Sequence, residues 1–193
     1  MKEYRIEQDF IGKMEVPSGV YYGIQTARAL ENFPITGYHL DGALINAMGI
    51  VKKASALANM EAGLLDERRG QAIVDAAQEV MEGKFNDQFM VDPIQGGAGT
   101  SINMNANEVI ANRAIEILGG KLGDYSLISP NSHVNMSQST NDSFPTALRI
   151  AILSKAGNLL QATEEVEKEL RLKSVEFDDV LKMGRSHLQD AVP

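Results

Sequence analysis

Cysteine is absent from this chain of 193 residues, and histidine occurs only as His39, His133 and His187. A disulfide scaffold is therefore excluded, and the wide histidine spacing argues against a structural zinc site. Basic residues are in deficit, 18 against 26 acidic ones, for a net charge of -8. Nucleic-acid recognition rests on a concentrated basic surface, so that class of partner is disfavoured. No apolar run approaches the roughly 20 residues that span a bilayer, and no membrane partner is expected. Met1-Lys2-Glu3-Tyr4 leads into charged sequence without the apolar core of a secretory signal, which suits a soluble cytoplasmic protein. No heptad, longer repeat or low-complexity linker is evident, and the length suffices for one sizeable core or two small ones.

What is present is a row of short hydrogen-bonding side chains, Ser137-Gln138-Ser139-Thr140-Asn141-Asp142, directly before Phe144-Pro145 and a long helix-forming run. A helix N-terminus offers unpaired N–H groups and a partial positive charge, a seat for a carboxylate. Pro145, near the first helical position, agrees with such a start. The plainer alternative is that Asn141 or Asp142 caps the helix and the rest is loop. A second segment, Gln95-Gly96-Gly97-Ala98-Gly99-Thr100-Ser101, can fold its N–H groups into an anion-binding concavity with Thr100 and Ser101 at the lip. A tight turn before a helix produces the same composition. The run carries neither the Gly-Lys-Ser/Thr of a phosphate loop nor the Gly-x-Gly-x-x-Gly of a dinucleotide fold. A third segment, Gly184-Arg185-Ser186-His187-Leu188-Gln189-Asp190, sets His187 beside Ser186. Such a pair can donate to, or exchange a proton with, a carboxylate near neutral pH, although a lone histidine in a polar loop is commonly only solvated.

The pattern is overwhelmingly helical after an irregular start over residues 1–23. A first helix runs from an N-cap at Asp41 through Ile45, Met48, Val51 and Ala58 to a stop at Gly63. A second begins at Asp66 and carries Ile73, Ala76, Ala77 and Val80 on one face before Gly83. A third covers about 103–118 and is closed by Gly119-Gly120. The fourth, about 143–177, is apolar nearly all round in its first half and charged in its second, so the first half needs burial on several sides. Gly157 inside it predicts a close helix contact.

Taken together, the three polar segments, with Val16-Pro17, Tyr21-Tyr22-Gly23 and Glu31-Asn32-Phe33, resemble the fumarase/aspartase superfamily in order and spacing over nearly the whole chain. Gly-Gly-Ala-Gly-Thr-Ser and the threonine of Gln-Ser-Thr-Asn-Asp are similar to its ammonia-lyase branch. Class II fumarases typically carry Thr-Gly-Ser-Gly-Thr and Gln-Ser-Ser-Asn-Asp there. The resemblance implies a mainly α fold, with the superfamily's N-terminal domain over 1–140 and the first long helix of a central helical bundle over 141–193, cut short. It also implies a longer parent chain that assembles as a homotetramer. The superfamily's loop rich in Ser and Gly, with its Met-Pro-x-Lys-x-Asn segment, supplies a serine base and a carboxylate-binding lysine, and neither is in this sequence.

By the same resemblance the reaction is the anti elimination of ammonia from L-aspartate to give fumarate. Removing a proton beside a carboxylate requires charge to flow into that carboxylate, whose aci form needs preorganised donors. Thr100, Ser139 and Thr140 match the positions that hold the β-carboxylate, and Asn141 the one at the departing amino group. Ser186 and His187 match those at the α-carboxylate, His187 in a supporting catalytic role. No metal or organic cofactor is implied. Pro130-Asn131-Ser132-His133 resembles a second anion site of fumarases, but Ser132 stands where an acidic residue is found. No second site is assigned, and His133 is read as structural. Fumarate hydration through the same intermediate and a non-catalytic helical assembly role stay open. A hydrolase built from Ser139, His187 and Asp142 lacks the Gly-x-Ser-x-Gly elbow.

Overall fold

The computed structural model describes residues 3–192. The elements in chain order are β1 (Tyr4–Gln8), β2 (Lys13–Pro17), α1 (Ile24–Asn32), α2 (Gly42–Glu61), α3 (Glu67–Met81), α4 (Thr100–Ile117), α5 (Thr140–Glu176), β3 (Gly184–Ser186) and β4 (Gln189–Val192). The backbone divides into two compact units, one ending at Ser154 and the other beginning at Lys155.

In the first unit, α2 begins at its expected cap, and Asp66, expected as the first residue of α3, is its cap. Asp41 accepts from the Ala43 N–H at 2.8 Å, and Asp66 from the Arg69 N–H at 3.0 Å. These side chains satisfy N–H groups that the first helical turn leaves without partners. The core lies between α2, α3 and α4, where Ile45, Met48, Ile73, Ala76, Ala77, Val80, Val109, Ile110 and Ala114 are buried. The α3 stripe is the one its sequence pattern indicates. On α2 the pattern misplaces two residues: Ala58 is exposed and Val51 only partly buried, while Lys52 is fully buried in their place.

The irregular start expected over residues 1–23 is instead an antiparallel hairpin, with Tyr4 opposite Pro17 and Gln8 opposite Lys13. Asp9 closes its turn by accepting from the N–H groups of Ile11 and Gly12 at 2.9 and 3.1 Å, a turn that aspartate makes by bonding backbone slightly ahead of it. Helix α1 has no cap of its own. Its cap is the buried Glu108 of α4, which accepts from the backbone of Gly23, Gln25 and Thr26 and from the Thr26 hydroxyl at 2.7 to 3.0 Å. Burial raises the Glu108 pKa above the usual carboxylate range, and these donors oppose that rise.

Helix α4 begins at Thr100 rather than near Asn103, because Gly99, at φ 87°, turns the chain directly into it. Helix α5 begins at Thr140 rather than Ser143, and this displaces Pro145 from the first helical position into the helix interior. There the ring forgoes the N–H that would bond the Asn141 carbonyl. The cap is Ser139, not Asn141 or Asp142: its Oγ accepts from the Asn141 N–H at 3.1 Å. Ser143, Ala147 and Ala151 are the buried residues of α5, whereas Leu148, Ile152 and Leu153 are exposed.

The second unit carries the remainder of α5, with Leu159 and Leu160 exposed. A Cβ at Gly157 would meet nothing within 4 Å, so the close contact expected there is not made within the chain. The C-terminal segment is a hairpin rather than a loop, Ser186 pairing with Gln189. Its two-residue tip, His187-Leu188, has φ of 51° and 61°, the paired positive values of a tight strand-to-strand turn. Among the described residues no helix is long and apolar enough to cross a membrane.

Candidate functional site

The first turns of α4 and α5 touch. Gly99 lies against the Phe144 ring so closely that a Cβ there would stand 2.2 Å from Cγ. One turn into α4, Asn103 Nδ2 donates to Thr140 Oγ1 at 3.1 Å. These contacts bring the glycine turn that precedes Thr100 against the Ser139-Thr140-Asn141 row, and both helices present N-terminal N–H groups there. Gln95 braces the glycine turn by accepting from the Ile102 N–H at 3.0 Å. Thr100, Ser139 and Asn141 are exposed.

The two hydroxyls of the row are polarised in one sense. Thr140 Oγ1 accepts from Asn103, and Ser139 Oγ accepts from the Asn141 N–H. Among the described residues neither hydroxyl donates to a protein group, so both protons are left for a ligand. The arrangement therefore offers donors to an anion. Ser186 and His187 belong to the second unit, where both are exposed at the hairpin tip.

Beneath the row lies a group that the sequence reading missed. The Lys52 ammonium donates to Asn103 Oδ1 at 2.7 Å, Asn135 Oδ1 at 2.9 Å and Gln138 Oε1 at 2.9 Å. All three of its protons are used, and no carboxylate is among its partners. Burial lowers its pKa from 10.5 to about 7, against which three accepting amide oxygens favour the charged form. Ser143 Oγ also donates to Asn103 Oδ1, at 2.9 Å. The loop before α5 wraps this cation: Asn135 Nδ2 donates to the Gln138 carbonyl, and Gln138 Nε2 to the Val134 and Met136 carbonyls. Two signals were present. Lys52 falls within the apolar stripe of its helix, one turn beyond Met48, and Asn103 and Asn107, which both donate to Asn135 Oδ1, share a face at a spacing of one turn.

His133 Nδ1 accepts from the Ser129 N–H at 2.9 Å and ties the turn over Pro130–Val134. Burial keeps its pKa below the usual imidazole value. Among the described residues no cluster of His, Cys, Asp and Glu could hold a metal ion.

A family model described as a lyase matches residues 12–193. The chain belongs to this lyase family. The lyase chain is 65% identical over 191 residues to an aspartate ammonia-lyase from Bacillus sp, an alignment covering 99% of this chain and 41% of that relative. It is 52% identical over 193 residues to a class II fumarate hydratase from Halobacterium salinarum, covering 100% and 41%. The crystal structure of a fumarate lyase:delta crystallin from Brucella melitensis in native form matches with a TM-score of 0.85 at 49% identity, over 99% of this chain and 45% of that one. The lyase chain thus spans about two fifths of the length of these relatives. Its fold is mainly α and of the fumarase superfamily, as the polar segments indicated.

Proposed function

We propose that this chain supplies part of the substrate site of an aspartate ammonia-lyase, which removes ammonia from L-aspartate to give fumarate through an aci-carboxylate. One observation carries the reading: the Ser139 and Thr140 hydroxyls have their acceptor sides occupied by the protein and their protons free, on touching helix N-termini. A carboxylate taking up charge from an adjacent carbanion is stabilised by donors fixed before the charge arrives. Thr100, Ser139 and Thr140 hold the β-carboxylate in this reading, and Asn141 faces the departing amino group. Ser186 and His187 serve the α-carboxylate, the histidine in a supporting role. The proton-abstracting serine and the carboxylate-binding lysine come from sequence outside these 193 residues. The reaction uses no cofactor, and the working enzyme is a cytoplasmic homotetramer in which α5 joins a helical bundle beginning at residue 141.

The 65% identity to an ammonia-lyase and Thr140, in place of a second serine, favour ammonia over water as the leaving group. Fumarate hydration is the second reading, kept by the 52% identity to a hydratase. The test is a chimera in which residues 1–193 replace the matching segment of the Bacillus sp relative. Fumarate formation from L-aspartate supports the proposal. An inactive chimera, or one that prefers L-malate, contradicts it.

A further inference from the structure

We propose that Lys52 is a positioning residue: through Asn103 it fixes the Thr140 hydroxyl as a donor facing the substrate carboxylate. The proposal rests on the ammonia-lyase reading above and adds a residue to it.

The argument is one of donors and acceptors. An ammonium has three protons and no lone pair, so any amide that meets it must turn its oxygen inward. Asn103 meets Lys52 through Oδ1, at 2.7 Å, and Ser143 Oγ donates to the same oxygen. The amide nitrogen of Asn103 is thereby forced to the other side. There it donates to Thr140 Oγ1 and to Asn135 Oδ1, each at 3.1 Å. With Nδ2 bonded to its oxygen, the Thr140 hydroxyl cannot send its own proton back to Asn103, and the proton points toward the ligand. An asparagine without the cation could flip and present its oxygen to Thr140, turning the hydroxyl inward as a donor. Lys52 in its protonated form removes that alternative. It fixes Asn135 and Gln138 in the same way, since both accept from it through side-chain oxygens. These two residues build the loop that leads into Ser139.

Packing alone does not call for this group. Lys52 is fully buried on the core face of α2, close in sequence to the apolar core residues Met48 and Ala56. A buried ammonium without a carboxylate partner is costly, and a methionine would fill the same stripe. The benefit falls on the hydroxyl row two hydrogen bonds away, where a bound dicarboxylate in turn favours the charged lysine.

Two substitutions in the chimera test the idea. Lys52→Met removes the cation at similar volume. Asn103→Asp keeps the cation and gives it a carboxylate partner, but an aspartate can only accept, so Thr140 is drawn inward to donate to it. A purely structural role for Lys52 predicts that Lys52→Met lowers stability but leaves ligand binding by the folded protein unchanged, while Asn103→Asp shows what turning the Thr140 hydroxyl inward costs with the cation still in place. In the positioning role, both variants lower kcat/KM for L-aspartate and weaken inhibition by succinate, a dicarboxylate that cannot eliminate, by about tenfold or more. Cooperative thermal unfolding checks that each variant is folded, Asn103→Asp exchanging its bond to Asn135 Oδ1 for an ion pair with Lys52. If Lys52→Met does not fold, Lys52→Gln, a neutral side chain that can accept from Asn103 as well as donate to it, is assayed in its place with the same two outcomes. Folded variants with unchanged kcat/KM and succinate inhibition overturn the proposal. A parent chimera inactive on L-aspartate overturns the underlying reading, and this one with it.

Discussion

Replacing Gly99 with alanine tests whether the contact between the α4 and α5 first turns shapes the site. Gly99 sits at φ 87°, and a Cβ there would lie 2.2 Å from Cγ of Phe144. Gly63 is the matched control: it ends α2 at φ 72°, and a Cβ there would meet nothing within 4 Å. An alanine in the left-handed region costs roughly 1–2 kcal/mol at either position. Only at Gly99 is the cost of forcing a methyl against a packed ring added, about 1–3 kcal/mol. Gly63→Ala is thus expected to lose roughly 1–2 kcal/mol and Gly99→Ala about 2–5 kcal/mol, against a total stability on the order of 5–15 kcal/mol for a domain. Urea unfolding of the 193-residue chain, followed by helical circular dichroism, measures both losses from their midpoints at constant slope. In the chimera, Gly99→Ala should also raise KM for L-aspartate, because relief of the clash moves Phe144 and the hydroxyl row beside it. Equal stability losses for the two alanines refute the contact as the reason for glycine at position 99.

Lys52 makes stability depend on pH in a defined direction. Its pKa is lowered to about 7 from 10.5, so between those values the unfolded chain binds a proton that the folded chain does not. The folded state is favoured most above 10.5, loses up to a few kcal/mol as pH falls toward about 7, and changes no further below that on this group's behalf. Urea midpoints should therefore rise from about pH 7 to pH 9 in the parent and stay flat over that window in Lys52→Met; the same slope in both contradicts the assignment. Glu108→Gln sets an amide nitrogen against one of the buried α1 N–H donors and should cost roughly 1–3 kcal/mol, the range for leaving a buried donor without an acceptor. Faster amide exchange confined at first to α1 is the accompanying sign, and an unchanged midpoint counts against it. Asn141 is exposed, so Asn141→Ala in the chimera should leave folding unaltered and lower kcat/KM for L-aspartate by about tenfold to a thousandfold; a loss below about twofold removes it from the site.

The helices that could be read from sequence carry their own start and stop signals: Asp41 and Asp66 as caps, Gly63 and Gly83 as ends. Helix α1 has no such signal because its cap, Glu108, comes from α4. The C-terminal hairpin was equally hidden, since its tip is His187-Leu188 rather than the Asn-Gly or Gly-containing pairs that announce such turns. Five-residue strands are too short for alternation alone to reveal the N-terminal hairpin. At the site, Thr100 and the Ser139-Thr140-Asn141 row were legible as clustered short polar residues before helices. The group supporting them was not. A lysine in a helix reads as surface, and what makes Lys52 different is the meeting of Asn103, Asn135 and Gln138 around it, which only the tertiary fold brings about. Pro145 misled the placement of the α5 start because proline is favoured at the first helical position, whereas here it lies inside the helix and forgoes a backbone hydrogen bond.

The most direct test of the functional reading is the initial rate of fumarate formation, followed by its absorbance, when the chimera carrying residues 1–193 is given L-aspartate and, separately, L-malate at equal concentration. Fumarate forming far faster from L-aspartate, with ammonia released in equal amount, is the expected result. An equal or greater rate from L-malate moves the chain to the hydratases and contradicts the reading.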